Sequence, residues 1–107
     1  MEPSLDGWNI NRSDEVAWTA WGSGGNARAK VLGTADGFFM VLVEAAAGYR
    51  GEPHVHVHPE FLYVIDGAVQ NQGLELTVGD GYAAAIGSTH DLFATRSGAT
   101  YLSIFKL

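Results

Sequence analysis

Three of the chain's four histidines fall in one stretch, Pro53-His54-Val55-His56-Val57-His58-Pro59-Glu60, and the fourth, His90, follows a Gly-Ser-Thr turn thirty residues after Glu60. Residues two apart on an extended strand point to one face, so His54 and His56 present two imidazoles side by side while Val55 and Val57 face the opposite layer. Pro59 has no N–H for a sheet ladder, so the chain is expected to turn there and return with Glu60 opening the next strand. Where the histidine face is the interior of a barrel, Glu60 adds a carboxylate beside the two imidazoles and His90 closes the set from a distant strand. Such nitrogen and oxygen donors suit one divalent cation: Fe(II), Mn, Ni or Zn. A carboxylate buried among imidazoles is strongly disfavoured unless a cation accompanies it. Cysteine is absent, so neither a thiolate ligand nor a disulfide is available.

Several neighbours could take part in binding. His58 shares the strand parity of His54 and His56 and is a candidate ligand or active-site base; a loop histidine at the cavity mouth is the alternative. Arg50, in the lead-in Gly48-Tyr49-Arg50-Gly51-Glu52-Pro53, could reach a substrate carboxylate or enolate, or could be a solvated loop residue. Tyr63, Gln70, Leu92 and Phe93 are candidate pocket residues, with core or dimer-contact packing as the other reading for the aromatics, because facing depends on strand parity.

The elements that must position these groups read as strands. Fourteen glycines punctuate short runs rich in Val, Phe, Tyr, Ile and Leu, the pattern of an all-β sandwich or barrel. The expected strands are Val16–Trp21, Arg28–Leu32, Phe38–Glu44, His54–Val57, Glu60–Ile65, Leu74–Val78, Tyr82–Ile86, Asp91–Thr95 and Thr100–Lys106. No helix competes with them, since Ala45-Ala46-Ala47 meets Gly48 at once. The segments Gly22 to Asn26 and Gly33 to Gly37 read as hairpin turns and open no helix, so neither resembles a phosphate-cradling loop. Residues 1–15 are expected to form an N-terminal arm or edge strand anchored by Trp8 and Ile10.

At 107 residues the chain suits one domain. Its net charge of −6, from twelve acids against six scattered bases, excludes a phosphate-backbone partner, which needs clustered Lys and Arg. No apolar run is long enough for a membrane helix and the start lacks signal-peptide character, so a soluble cytoplasmic protein is the expectation. Trp8, Trp18 and Trp21 offer apolar contact area for a homodimer.

The residues reached so far resemble the two motifs of the cupin superfamily. Gly48, His54, His56, Glu60 and Gly67 stand at the spacing of its first motif, and Gly79, Gly87 and His90 at that of its second. Ala85 replaces the family's Pro and Ala94 its Asn; neither position supplies a ligand, so the departures bear on turn geometry. The resemblance covers about Phe38 to Leu107 and implies a double-stranded β-helix, or jelly-roll barrel, with the metal held by His54, His56, Glu60 and His90. The Trp18 lead-in and the Gly98 to Leu102 ending look similar to cupins akin to diketone-cleaving dioxygenases and to the sensor half of certain anti-sigma factors.

What the resemblance implies is a metal-dependent oxidoreductase, with Fe(II) favoured, that acts on a small oxygenated substrate chelated to the metal. Glu60 would be a ligand and the group that shuttles a substrate proton. The alternatives are a non-catalytic metal- or ligand-sensing module and a redox-silent isomerase or lyase on the same site.

Overall fold

A computed structural model describes residues 5–107. After a 3₁₀ turn at Ser13–Glu15 come ten strands: β1 (Thr19–Ala20), β2 (Ala27–Ala35), β3 (Phe38–Ala45), β4 (His54–Val55), β5 (Glu60–Asn71), β6 (Leu74–Thr77), β7 (Gly81–Ala84), β8 (Thr89–His90), β9 (Phe93–Ala94) and β10 (Ala99–Lys106). The main sheet runs β1-β2-β3-β10-β5-β6, with β7 and β9 also paired to β5, and β4 pairs with β8 in a separate two-stranded ladder. All pairings are antiparallel. The result is the jelly-roll barrel, and no helix among the described residues is long and apolar enough to cross a membrane.

The barrel wall follows from alternation. Along β3, Val41, Val43 and Ala45 are buried, and along β10 so are Ala99, Tyr101 and Ser103, while their sequence neighbours are partly exposed. Val41, Val43, Val64 and Val69 are almost fully buried, each burial stabilising the fold by about 1.5–3 kcal/mol. The β2–β3 hairpin closes through Asp36 and Gly37, both at positive φ (52° and 83°), as a two-residue hairpin turn requires.

β5 bends without ending. Val64 pairs with Tyr101 and Asp66 with Thr100, so Ile65 is the extra residue of a β-bulge and is 43% exposed. Gly67 follows at φ 74°, where a Cβ would lie 2.2 Å from the carbonyl oxygen of Gly98. The bulge reverses parity: Leu62 and Val64 face inward before it and Val69 after it. This is why the strand expected to stop at Ile65 continues to Asn71, leaving one wall, where it pairs with β10 and β7, to join β6 and β9 in the other.

Other boundaries also differ. The strand expected over Asp91–Thr95 is shortened to Phe93–Ala94, because the N–H groups of Asp91 and Leu92 both donate to the Gln72 side-chain oxygen, at 2.8 Å each, instead of to a ladder. The strand expected from Val16 is reduced to Thr19–Ala20. The N-terminal segment is tied to the edge of β2 by amides: Asn9 Oδ1 accepts from Thr34 N and Asn11 Nδ2 donates to Leu32 O, both at 3.0 Å. Trp8 and Ile10, the expected anchors, are instead 73% and 55% exposed. Residues 1–4 of the expected arm lie outside the described residues.

Candidate metal centre

The β4–β8 ladder sets His54 opposite His90, and the turn at Pro59 returns the chain so that Glu60 opens β5 beside β7. The three rings gather closely: centroids are 4.8 Å apart for His54 and His56, and 5.3 Å for His90 with either. One donor atom from each of His54, His56, Glu60 and His90 lies within 4.8 Å of the others, near the span needed by donors that each sit about 2.0–2.2 Å from a common ion. His56 and His90 are buried, Glu60 is half-buried and His54 stands at the exposed mouth.

Hydrogen bonds fix which nitrogen of each ring keeps its lone pair. His54 Nδ1 lies 2.8 Å from the Glu52 carbonyl oxygen, which only accepts, so Nδ1 carries the proton and Nε2 is free to ligate. His56 Nδ1 lies 3.2 Å from the Ser88 carbonyl oxygen and 3.0 Å from Ser88 Oγ, whose own proton goes to Ala85 O at 2.6 Å. His56 Nε2 therefore keeps its lone pair, yet it sits 3.1 Å from Glu60 Oε1, where two electron-rich atoms face each other. A cation between them resolves that opposition, as would a second proton on the ring. His90 Nε2 is 2.6 Å from Asn71 Oδ1, which leaves Nδ1 as a buried atom with no hydrogen-bond partner. Burial pushes the His90 pKa down, and neutral imidazole is the form that binds a metal. These donors fit a divalent ion.

Glu60 is held on its other side. The Tyr82 hydroxyl donates to Glu60 Oε2, so the carboxylate is oriented with Oε1 toward His56. Burial, and next the Glu60 charge, push the Tyr82 phenol above its ordinary range, so it remains a proton donor.

The group forms part of the wall of a cavity of about 600 Å³ whose lining also includes Leu62, Tyr82, Phe93 and Tyr101. His58 and Phe93 line it as well, with Phe93 edge-on to His90 at 5.4 Å. Arg50, Tyr63, Gln70 and Leu92 do not line it. Arg50 is exposed and bridges to Ala94. Tyr63 lies on the outer face at 52% exposure. Gln70, past the bulge, points to Glu75 and the Arg96 N–H. Leu92 supplies one of the two N–H groups bound by Gln72. Trp18 and Trp21, offered as dimer contacts, have partners within the chain: Arg28 and Lys30 sit over the Trp18 ring at 4.3 and 4.6 Å, and Trp21 packs on Phe105.

Tyr82, Asn71 and Ser88 contact Glu60, His90 and His56 and were missed by sequence reasoning. For Tyr82 a signal existed, a single bulky residue in Gly81-Tyr82-Ala83-Ala84 in register with Leu62. Asn71 was hidden by the parity reversal.

The profile of the family described as ChrR cupin-like domain matches residues 9–106. No curated protein matches the chain in sequence. Among solved structures, a putative acetylacetone dioxygenase from Methylibium petroleiphilum PM1 superposes with a TM-score of 0.84 at 19% identity, covering 99% of this chain and 81% of that one. KdgF from Halomonas sp. gives 0.77 at 23% identity, covering 92% of each chain. The structure of Rhodobacter sphaeroides SigE in complex with the anti-sigma ChrR gives 0.72 at 24% identity, covering 89% of this chain and 51% of that one. At these identities the likeness concerns the fold.

Proposed function

The chain belongs to the family of ChrR cupin-like domains, and from that premise we propose that it is a metal-dependent oxidoreductase of dioxygenase type, acting on a small oxygenated substrate at the His54, His56, Glu60 and His90 group. The observation that carries this reading is one donor atom from each of three imidazoles and a carboxylate gathered in the wall of a mostly apolar cavity, the form of a small-molecule site. A divalent ion held by these four residues, Fe(II) in this reading, supplies Lewis acidity and one-electron chemistry. The chain's own residues do the rest. Phe93 and Leu62 exclude water from the inner cavity. Tyr82 presents its proton at Glu60 Oε2 and orients the carboxylate, and Glu60 is the group placed to accept a substrate proton. His58 and Phe93 contact substrate in this reading; Arg50, Tyr63, Gln70 and Leu92 have no place in it.

Oxygen uptake by the Fe(II)-reconstituted protein, measured across a panel of β-diketones and phenolic ketones, tests the proposal. Saturable uptake with at least one compound, lost in His56→Ala, is the expected result. Absence of uptake in every metal form would overturn it.

A second reading has its own support. The likeness to an anti-sigma protein solved with its sigma factor favours a metal- or ligand-sensing module with a protein partner. Metal-dependent capture of a sigma factor by the loaded protein, without turnover, selects it. A redox-silent isomerase or lyase on the same site is selected instead by product formation under nitrogen. The homodimer belongs to the proposal too: a mass twice that of the chain in light scattering is expected, with the outer β5 face, where Phe61 and Tyr63 are half exposed, as the contact.

A further inference from the structure

The inner wall beyond the metal group carries hydroxyl groups that the chemistry above leaves unused. Ser103 and Tyr101 point inward from β10 at 5% and 3% exposure, and Tyr49 beside them is 6% exposed; all three line the cavity, with Trp21. The Tyr49 and Tyr101 phenols lie close to each other and to the Trp21 side chain. An indole N–H only donates, so Trp21 takes up neither phenol proton. A bond between the two phenols would use one of their protons and leave the other for an acceptor in the cavity. The Ser103 hydroxyl has no protein partner among the described residues. Among the described residues His90 Nδ1 is the one buried side-chain polar atom without a partner, so these hydroxyl oxygens are open to the cavity, and O–H donors facing it can bond to an oxygen of a molecule that enters.

The charge of that partner is also constrained. Lys106 is the single lysine or arginine among the described lining residues, and its ammonium lies 5.5 Å from the ring centroid of Phe38, which is not part of the lining. The Glu60 carboxylate is close enough to act electrostatically on both tyrosines. An anionic group there would meet the like charge of Glu60, with the Lys106 ammonium drawn toward Phe38.

We propose that Ser103 and the Tyr49 and Tyr101 pair form a second ligand subsite, donating hydrogen bonds to a neutral oxygen of a molecule whose chelating end lies at the His and Glu group. The ligand is thus an uncharged compound with a carbonyl, ether or hydroxyl oxygen at its far end and an apolar body along Leu62 and Phe93. This rests on the metal-dependent reading above.

Calorimetric titration of the Ni(II)-loaded protein with benzoylacetone and its ring-hydroxylated and ring-carboxylated analogues, meta and para, tests it. At least one hydroxylated analogue binds about tenfold more tightly than the parent, the effect of one neutral hydrogen bond in a buried site. Ser103→Ala shrinks that ratio, as does the pair Tyr49→Phe with Tyr101→Phe, and the three substitutions together bring it to about one. Equal binding of parent and hydroxylated analogues, a ratio that persists in the triple variant, or tightest binding by a carboxylated analogue overturns the subsite alone. Failure of every compound to bind protein shown to hold nickel overturns the metal-dependent reading and the subsite with it.

Discussion

The wall made by β3, β10 and β5 and the pole made by β4 and β8 are built on different physics. The wall strands are eight to twelve residues long and alternate buried Val, Leu, Ala and Tyr with partly exposed neighbours, so burial and a continuous ladder hold them. The pole is two strands of two residues each, and its histidines are aligned by hydrogen bonds to Glu52, Ser88 and Asn71. Packing supplies stability in the first region, while polar contacts aim donor atoms in the second. A site that must gather lone pairs at one point gains from short elements steered one by one. It also needs a stiff wall behind them, and Glu60 belongs to both regions.

That division can be broken from either side, and the wall should give the largest response. Gly67→Ala places a Cβ against the Gly98 carbonyl at positive φ and is expected to lower the unfolding free energy by about 3 kcal/mol or more, read by urea denaturation. If Gly67→Ala unfolds like the parent, the bulge is not a structural corner. Next comes the pole. Zn(II) or Ni(II) at a hundred times its dissociation constant should stabilise the parent by about 2.7 kcal/mol, an increment that a chelator reverses and that is absent in His56→Ala. Retention of the increment in that variant would remove His56 from the ligands.

Tyr82→Phe sharpens the junction between the two. It keeps the packing of the ring against its neighbours and removes the donor to Glu60 Oε2, so metal affinity should fall about tenfold, as measured by competition with a chromophoric chelator, while the melting temperature of the metal-free protein hardly moves. Unchanged affinity would reduce Tyr82 to a packing residue. The smallest effect is expected at the outer face, where Tyr63→Ser removes a half-exposed ring paired across the strand with Leu102. It should change stability by less than about 1 kcal/mol and leave metal affinity as it was, with urea denaturation and the chelator competition as the checks.

Much of the site was legible because its signal is local and chemically rare. His54, His56 and Glu60 lie within seven residues around a proline turn, and the motif spacing brought in His90. The pocket residues were less so. Phe93 and His58 line the cavity, but Tyr63 and Gln70 were guessed on the two sides of a bulge that swaps inward and outward positions. Strand ends failed where a side chain, such as Gln72, captured backbone donors that periodicity assigns to a ladder.

The order of residues by itself determined an all-β chain with turns at its glycines, and a set of nitrogen and oxygen donors able to hold one cation, since strand period, turn preference and ligand type are properties of neighbours along the chain. Tertiary structure alone decided which tautomer each histidine adopts, that Tyr82 steadies Glu60, and that Tyr49, Tyr101 and Ser103 share the cavity with the metal group. Those are contacts between segments tens of residues apart, and no local period encodes them.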